Sequence, residues 1–183
     1  AEARATGITV AVPLVQRFAD VGRALASIAG ADPPLEFAVR FVAGPPARYD
    51  RSGNGWMLDP AASGGGAAIN LAPHFVDLAM LLTGSPVIEV SALVSDAQHA
   101  RPVEDLAVLV LLHGNGALSS VAVGYRFPDA APSREFRLTM SGRRTYVETE
   151  PAGLVVRDAT GRVRRVSVSF DTDAFYADYV RRF

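Results

Sequence analysis

The sequence predicts an α+β domain, built on a large, mainly antiparallel sheet with helices on one face. Apolar residues at helical spacing occur mainly in the first half of the chain, between Phe18 and Leu82. After that, short β-rich runs follow one another, and brief turns such as GNG and DATG separate them. Because short turns between successive strands require antiparallel pairing, the second half of the chain should form the sheet.

The composition is that of a globular domain. The chain has 183 residues, of which 49% are hydrophobic and 20% charged, and its formal net charge is -1. This length is enough for one domain with its own core. No apolar run reaches the roughly 18 residues of a membrane span, and no secretory signal is visible. The absence of cysteine excludes disulfides and thiolate chemistry, and we expect a cytoplasmic protein.

All 18 basic residues are arginine, and the chain contains no lysine. Schiff-base chemistry and a lysine general acid are therefore excluded for this chain. The arginines are dispersed and nearly balanced by 19 acidic residues. Because no basic stripe results, we expect no nucleic-acid partner.

The first elements can be assigned in order. GITVAVPLV at 7–15 predicts a strand, and the apolar spacing of RFADVGRALASIAG at 17–30 predicts a helix that stops at Gly30. PLEFAVRFVAG at 34–44 returns to strand alternation. The loop GPPARYDRSGNG then leads to Trp56 and to a triple glycine.

A longer helix should begin at Asn70 or Pro73, because proline suits a first helical turn. Its apolar stripe runs to Leu82 before TGSP ends it. FYADYVRRF at the end of the chain should open another helix. The strands expected between these two helices are VIEVSALVS, the pair within DLAVLVLLHGNGALSSVAVGYRF, EFRLTMSG, TYVETE, GLVVRD and RVRRVSVSF.

The stretch SGGGAAINLAPHFVD at 63–77 is the strongest candidate for a functional site. Glycines let backbone approach a ligand closely, and His74 titrates near neutral pH. With the amide of Asn70, these residues suggest a polar pocket. The alternative is a glycine-rich connector with a helix-capping Asn70 and a surface histidine.

Other chemistry-bearing patterns are weaker. HGNGALS lies between β-like segments, so it predicts a hairpin turn and not a dinucleotide loop. His74 and Asp77 are two candidate ligands, fewer than a catalytic zinc site needs, so we expect no metal. His99 and His113 fall in apparent loops and should be exposed to solvent.

The segment GWMLDPAASGGGAAINLAPHFVDLAMLLTGSPVIEVSALV at 55–94 resembles the C-terminal domain of the Gfo/Idh/MocA oxidoreductases, the family of glucose-fructose oxidoreductase and inositol dehydrogenase. The start of the chain also resembles the junction that follows the family's Glu-Lys-Pro motif. The positions that match the family pattern are Gly64, Gly65, Gly66, Asn70, His74, Asp77, Gly84, Glu89 and Val90.

This resemblance implies an oxidoreductase that uses NAD or NADP and acts on a hydroxyl or carbonyl of a sugar- or cyclitol-like substrate. It implies His74 as the acid/base and Asn70 as a substrate contact. A homodimer or homotetramer through the sheet is also implied. The further substrate-binding candidates are the backbone of Gly64, Gly65 and Gly66, Asp77 as an orienting group for His74, and Trp56 and Tyr125 as aromatic lining.

Residues 1–183 are expected to form one C-terminal-type domain that lacks its Rossmann partner, so NAD or NADP would bind mainly to an N-terminal domain not present here. The catalytic lysine of Glu-Lys-Pro is missing, and Asn70 stands where several members have aspartate. We therefore expect the chain to be inactive alone. The alternative is a non-catalytic module that binds a sugar-like ligand or dimerises.

Overall fold

The fold is described from a computed structural model for residues 5–128, 134–170 and 173–181. One sheet of eight strands carries the domain, in the spatial order β2-β3-β4-β1-β5-β6-β7-β8. The strands are β1 Glu36–Val42, β2 Val87–Ser95, β3 Leu106–His113, β4 Leu118–Gly124, β5 Glu135–Ser141, β6 Thr145–Glu150, β7 Gly153–Asp158 and β8 Val163–Ser167. The helices are α1 Asp20–Ala31, α2 Ala47–Arg51, α3 Pro60–Ser63, α4 Ala67–Thr83 and α5 Asp173–Arg181, with 3-10 turns at Val15–Arg17 and Gly55–Leu58. The predicted α+β fold is confirmed.

Strand β1 lies in the middle of the sheet, between two partners that are distant in sequence. Its residue Val39 faces Val121 of β4 in parallel and Leu138 of β5 in antiparallel orientation. The other neighbouring pairs are antiparallel. The sheet is therefore mainly antiparallel, as the short turns predict, with one parallel pair that the turns do not reveal.

The two faces of the sheet differ in polarity and cover. One face presents buried residues such as Phe37, Leu111 and Val121, and α4 packs on it across β3 and β4. Helix α1 packs against α4 in turn. The opposite face carries exposed apolar side chains on β3 and β4, including Val108 and Val110. The helices thus cover one face of the sheet and leave the other open.

Helix α4 begins earlier than the sequence predicts. It starts at Ala67, so the prediction of a start at Asn70 or Pro73 is wrong, and Pro73 lies inside the helix. Glu104, far along the chain, accepts the first N–H groups: its carbonyl oxygen binds the Ala67 N–H at 3.0 Å, and its Oε1 binds the Ala68 N–H at 2.9 Å. These contacts satisfy donors that a local capping residue would otherwise serve.

By length and composition alone, Pro60–Thr83 could cross a membrane, with a mean hydropathy of 1.3 in its most apolar window. Within that window, however, 44% is buried inside the domain. Because α4 lies against β3 and β4, we interpret this segment as a core helix.

The predicted strand at 7–15 is not formed. Within the described residues it pairs with no strand, and Ile8, Val10 and Val12 are exposed by 64%, 73% and 68%. No neighbouring strand supplies the ladder of hydrogen bonds that defines a sheet. The Leu14 N–H instead donates to the Val12 carbonyl oxygen at 2.9 Å, and the Val15 N–H to the Pro13 carbonyl oxygen at 2.8 Å. The neighbouring helix prediction is confirmed, although α1 ends at Ala31, one residue beyond Gly30.

The helix expected at the end of the chain is present as α5. Its Tyr179 ring lies 5.9 Å from the Phe18 ring, and its hydroxyl donates to the Val12 carbonyl oxygen at 3.2 Å. These contacts fix α5 against the segment that leads into α1.

Candidate functional site

Asn70 and His74 lie four residues apart on α4. Side chains at this spacing share one helix face, with Cβ atoms about 6 Å apart. Both residues are half-buried. Helix α4 therefore presents an amide and an imidazole side by side, on a rigid element that packs against the sheet.

The amide of Asn70 is held by two tyrosines. Its Nδ2 donates to the Tyr49 hydroxyl at 2.6 Å and to the Tyr125 hydroxyl at 2.8 Å. The two rings meet edge to face, with centroids 5.6 Å apart. Because both amide hydrogens are engaged, the orientation of Asn70 is fixed. Its Oδ1 makes no hydrogen bond to a described residue and is not buried.

Tyr125 is almost completely buried at the end of β4. Its backbone N–H donates to the Asp105 carbonyl oxygen at 2.8 Å, which anchors the residue. Burial raises the pKa of Tyr125 far above its usual range, and the neighbouring Tyr49 adds to this effect. The Tyr125 hydroxyl is therefore protonated at neutral pH and can hydrogen-bond but not act as a base.

Arg48 covers this tyrosine pair. Its guanidinium carbon lies 4.8 Å from the centroid of the Tyr49 ring and 5.6 Å from that of Tyr125. Its Nη2 also donates to the Tyr49 hydroxyl at 2.8 Å. Arg48 is thus held by cation–π contacts and one hydrogen bond, in the same cluster as Asn70.

The two nitrogens of His74 have different surroundings. Nδ1 is buried, and within the described part of the chain it has no hydrogen-bond partner, whereas Nε2 is not buried. Burial lowers the pKa of His74, and the charge of Asp77 opposes this only in part. The imidazole is therefore neutral at pH 7, as a group that accepts a proton must be.

Asp77 lies one turn beyond His74, and its carboxylate is already occupied. Arg17 contacts both carboxylate oxygens, with Nε 2.7 Å from Oδ2 and Nη2 against Oδ1. The hydrogen bond to Asp77 raises the pKa of Arg17. Asp77 therefore anchors the 3-10 turn Val15–Arg17 to α4 and acts on His74 through its charge.

The three glycines form the turn between α3 and α4. Gly64 ends α3 in the left-handed conformation, with φ of 79°. A Cβ on Gly66 would lie 2.2 Å from the Glu104 carbonyl oxygen, and one on Gly65 would lie 3.0 Å from Ile69. The close approach at Gly66 is therefore to the backbone of this same chain, and it brings Glu104 to the start of α4.

A family model described as the GFO/IDH/MocA C-terminal domain matches residues 34–148, well over half of the chain. The chain belongs to the GFO/IDH/MocA family. The resemblance found in residues 55–94 is thereby confirmed, and the match includes Arg48, Asn70, His74 and Tyr125. A separate comparison with curated proteins found no match.

Solved structures share the fold of this GFO/IDH/MocA domain at low identity. UDP-N-acetylglucosamine 3-dehydrogenase GnnA from Acidithiobacillus ferrooxidans is 21% identical with a TM-score of 0.69, covering 98% of this chain and 54% of its own. Levoglucosan dehydrogenase in complex with NADH and levoglucosan is 18% identical with a TM-score of 0.71, and the match covers 91% of this chain and 49% of the dehydrogenase. GenD2 from gentamicin A biosynthesis, in complex with NAD, is 21% identical with a TM-score of 0.73, covering 98% and 54%. The chain spans about half the length of these three proteins.

The predicted site residues of the GFO/IDH/MocA domain fall into separate places. Asn70 and Tyr125 are in direct contact, and His74 lies one turn from Asn70. Trp56 lies in the 3-10 turn Gly55–Leu58 and is 56% exposed. A substrate role for Trp56 stays a prediction, as do the roles of the other residues.

The sequence prediction missed Arg48 and Tyr49. Both belong to α2, a short helix inside the segment that the sequence indicates only as a loop. Their part in the site depends on contacts with Asn70 and Tyr125, which come much later in the chain. The dipeptide itself carries no local signal of such contacts.

The prediction that His99 and His113 are exposed is wrong. His113 is fully buried at the end of β3, where its Nε2 lies 2.8 Å from the Ser119 hydroxyl and its Nδ1 3.1 Å from the Ser85 carbonyl oxygen. His99 is half-buried, with Nε2 3.0 Å from the Tyr125 carbonyl oxygen. Hydrogen bonding makes such burial tolerable for a polar ring.

Proposed function

We propose that this chain is the substrate-binding and oligomerisation domain of an NAD(P)-dependent oxidoreductase that acts on a hydroxyl or carbonyl of a sugar- or cyclitol-like substrate. One observation carries the proposal. A neutral, half-buried His74 stands one helical turn from Asn70, which two tyrosines hold in place, in a member of an oxidoreductase family. Removing hydride from an alcohol requires a nearby base for the hydroxyl proton, and His74 fits this role.

His74 accepts that proton through Nε2, the nitrogen that is not buried. Nδ1 then carries the other ring proton and needs an acceptor, which no described residue supplies. In the reverse direction, His74 returns the proton to the oxygen of the carbonyl that is reduced.

Asn70 positions the substrate. Since its Nδ2 is engaged by Tyr49 and Tyr125, the free Oδ1 accepts a hydrogen bond from a substrate hydroxyl. An oriented acceptor of this kind favours a molecule that presents a hydroxyl group to it. A polyhydroxylated substrate therefore fits the side chains of this site.

The nicotinamide, when bound, supplies the hydride chemistry. The accessible Nε2 of His74 and the adjacent Asn70 fit a site at which the substrate lies between this domain and a cofactor-binding domain. Arginine is the basic residue of this chain, and no lysine can assist His74 from within it. A lysine partner would come from the Glu-Lys-Pro motif of an upstream domain.

The open face of the sheet is the proposed contact between copies of the chain. Its β2–β4 half exposes Leu93, Val108, Val110 and Leu118. Across β1 and β5–β8 the same face carries ion pairs, namely Arg40–Glu135, Arg137–Glu135, Arg157–Glu148 and Arg165–Glu150. An apolar patch bordered by paired charges is typical of an association surface.

A second candidate function is a non-catalytic module that binds a sugar-like ligand. Asn70 favours it, because an amide cannot supply the carboxylate that several family members have at this position. The half-buried cluster of Asn70, Tyr49 and Tyr125 could hold a polyol without turning it over. The two candidates differ in whether His74 moves a proton.

The coding sequence upstream of Ala1 gives the first test. The oxidoreductase proposal predicts, in frame, a strand, a glycine-rich dinucleotide loop and a Glu-Lys-Pro motif. The polypeptide that includes this region should reduce NAD or NADP in the presence of a polyol. His74→Ala should lower kcat by about 100-fold or more, as expected for loss of a general base, and Leu81→Ala on the same helix should leave kcat unchanged.

An upstream region without these features, and no turnover of any polyol tested, would favour the non-catalytic module. Unchanged turnover of the His74→Ala variant would remove the catalytic role of His74.

A further inference from the structure

We propose that Arg48 binds an oxyanion substituent, a carboxylate or a phosphate, on the substrate that reaches Asn70 and His74. This inference rests on the proposed function, since it places the acidic group on the same molecule that His74 deprotonates. It narrows the substrate class from polyols in general to sugar acids or sugar phosphates.

Arg48 is oriented before any ligand binds. One N–H group of Nη2 is engaged by the Tyr49 hydroxyl at 2.8 Å, and the guanidinium lies against the rings of Tyr49 and Tyr125. Ring contacts occupy a face of the guanidinium plane and leave its edge for hydrogen bonds. An arginine held in this way loses little further conformational entropy when it binds an anion.

The charge of Arg48 is not neutralised within the described residues. Among the described residues, eight other arginines have a described carboxylate within 4.0 Å, and Arg48 has none. Arg51 on the same helix also has no described carboxylate partner, but its side chain is exposed to water. The side chain of Arg48 is half-buried. A half-buried guanidinium without a counter-ion retains a desolvation cost that a bound anion would offset.

Arg48 also lies beside the groups that would face the substrate. The Tyr49 hydroxyl oxygen bridges it to Asn70, with 2.8 Å to Arg48 Nη2 and 2.6 Å to Asn70 Nδ2. His74 follows Asn70 by one helical turn. A molecule with a hydroxyl-bearing carbon at His74 and an acidic group a few atoms away would contact both His74 and Arg48.

The shape of the guanidinium determines the ligand class. Its parallel N–H groups match the two oxygens of a carboxylate or of a phosphate, and such two-point contacts are stronger than neutral hydrogen bonds. A neutral sugar offers only single hydroxyl acceptors. An acidic substrate should therefore bind more tightly than its neutral counterpart, and Arg48 should account for the difference.

The chain itself can be tested by nuclear magnetic resonance titration, with the His74 imidazole and the Asn70 side-chain amide as reporters. The probes are D-glucose as the neutral reference, D-glucuronate for the carboxylate, glucose 6-phosphate for the phosphate, and inorganic phosphate as an anion without a sugar. We expect D-glucuronate, glucose 6-phosphate or both to bind at least about 10-fold more tightly than glucose and to shift both reporters.

Arg48→Gln should abolish this preference, so that the acidic probes bind no more tightly than glucose. Arg51→Gln, on the same helix, is the matched control and should retain the preference. Should Arg48→Gln fail to fold, Arg48→Lys should reduce the preference for the acidic probes, because an ammonium keeps the charge but cannot make the two-point contact.

The possible failures are distinguishable. If glucose shifts the reporters and neither acidic sugar binds more tightly, the proposal for Arg48 is overturned and the polyol site stands. If inorganic phosphate binds as tightly as both acidic sugars, Arg48 is a general anion contact and the substrate assignment is overturned. If no sugar shifts either reporter, the proposed substrate site itself is contradicted, together with the inference that rests on it.

Discussion

Arg17 and Asp77 form a two-point ion pair on the flank of α4, one helical turn from His74. The pair links residues that are 60 positions apart in the sequence, and the Asp77 carboxylate is buried. Because Arg17 offsets the negative charge of Asp77, His74 experiences only part of it. The ion pair therefore affects both the anchoring of the 3-10 turn Val15–Arg17 and the protonation of the proposed base.

Replacing Arg17 should change both properties. Arg17→Met leaves a buried carboxylate without its partner, and we expect the free energy of unfolding to fall by about 2 kcal/mol, less than for a fully buried pair because Arg17 is partly exposed. The uncompensated charge of Asp77 should also raise the pKa of His74. Urea denaturation measures the first effect, and an NMR titration of the imidazole measures the second.

Arg23→Met is the control for that experiment. Arg23 pairs with Asp20 on an exposed face of α1, so its loss should cost less than about 0.5 kcal/mol and leave the pKa of His74 unchanged. Equal effects of the two substitutions would show that the Arg17–Asp77 pair has no special role.

The stability of the chain should depend on pH through His74. Its pKa is lowered in the folded state from the ordinary value of 6.5, so the unfolded chain binds more protons as the solution is acidified. The contribution of the neutral imidazole to the free energy of unfolding is fully present above pH 6.5, and it is lost as the pH falls through the lowered pKa. His74→Gln should therefore lose less stability than the unchanged protein between about pH 7 and pH 5. Urea denaturation of both proteins at several pH values measures these losses. An equal loss, or a larger loss for His74→Gln, would contradict a lowered pKa of His74.

Two glycine substitutions should act in opposite directions. Gly66→Ala forces a Cβ to within 2.2 Å of the Glu104 carbonyl oxygen, so we expect a loss of about 2 kcal/mol or more. Gly30→Ala lies in α1, where an added Cβ meets open space, and should stabilise the chain by up to about 1 kcal/mol. Thermal unfolding of the two variants measures both. A well-tolerated alanine at 66 would mean that the turn does not hold Glu104 against the start of α4.

The proposed association through the open sheet face can be tested by charge. Val110→Lys places an ammonium in the centre of the apolar β2–β4 half and should convert a dimer to a monomer. Val163→Lys, on β8 at the far edge of the same face, is similarly exposed and should leave the association unchanged. Light scattering after gel filtration gives the masses. A mass unaffected by Val110→Lys would place the contact elsewhere.

The strands were largely predictable, because each is a local pattern of β-rich residues between short turns. The run VIEVSALVS coincides with β2, and the hairpin around GNG separates β3 from β4 as expected. The order of strands in the sheet was not predictable. Val39 acquires its parallel neighbour Val121 only after the chain has passed through α4 and two further strands.

The site was only half predictable for the same reason. Asn70 and His74 share one helix, so their proximity follows from spacing alone. The contacts that orient Asn70 come from α2 and from the end of β4, and Glu104 sets the start of the helix from a distant loop. No local pattern around Tyr49 or Glu104 reports such partners. The burial of His113 depends likewise on Ser85 and Ser119, which reach it only in the folded sheet.

The central position of β1 has a kinetic consequence. The strands on either side of it form two groups, β2–β4 and β5–β8, in which each strand pairs with the next one along the chain. Short turns join them, except for the longer loop 96–105 between β2 and β3, so each group can pair soon after the chain collapses. Strand β1 can take its place only when both groups are available, since its neighbours β4 and β5 lie far along the sequence. We therefore expect two locally formed meanders to be joined by β1 late in folding, and substitutions in β1 to speed unfolding more than they slow refolding.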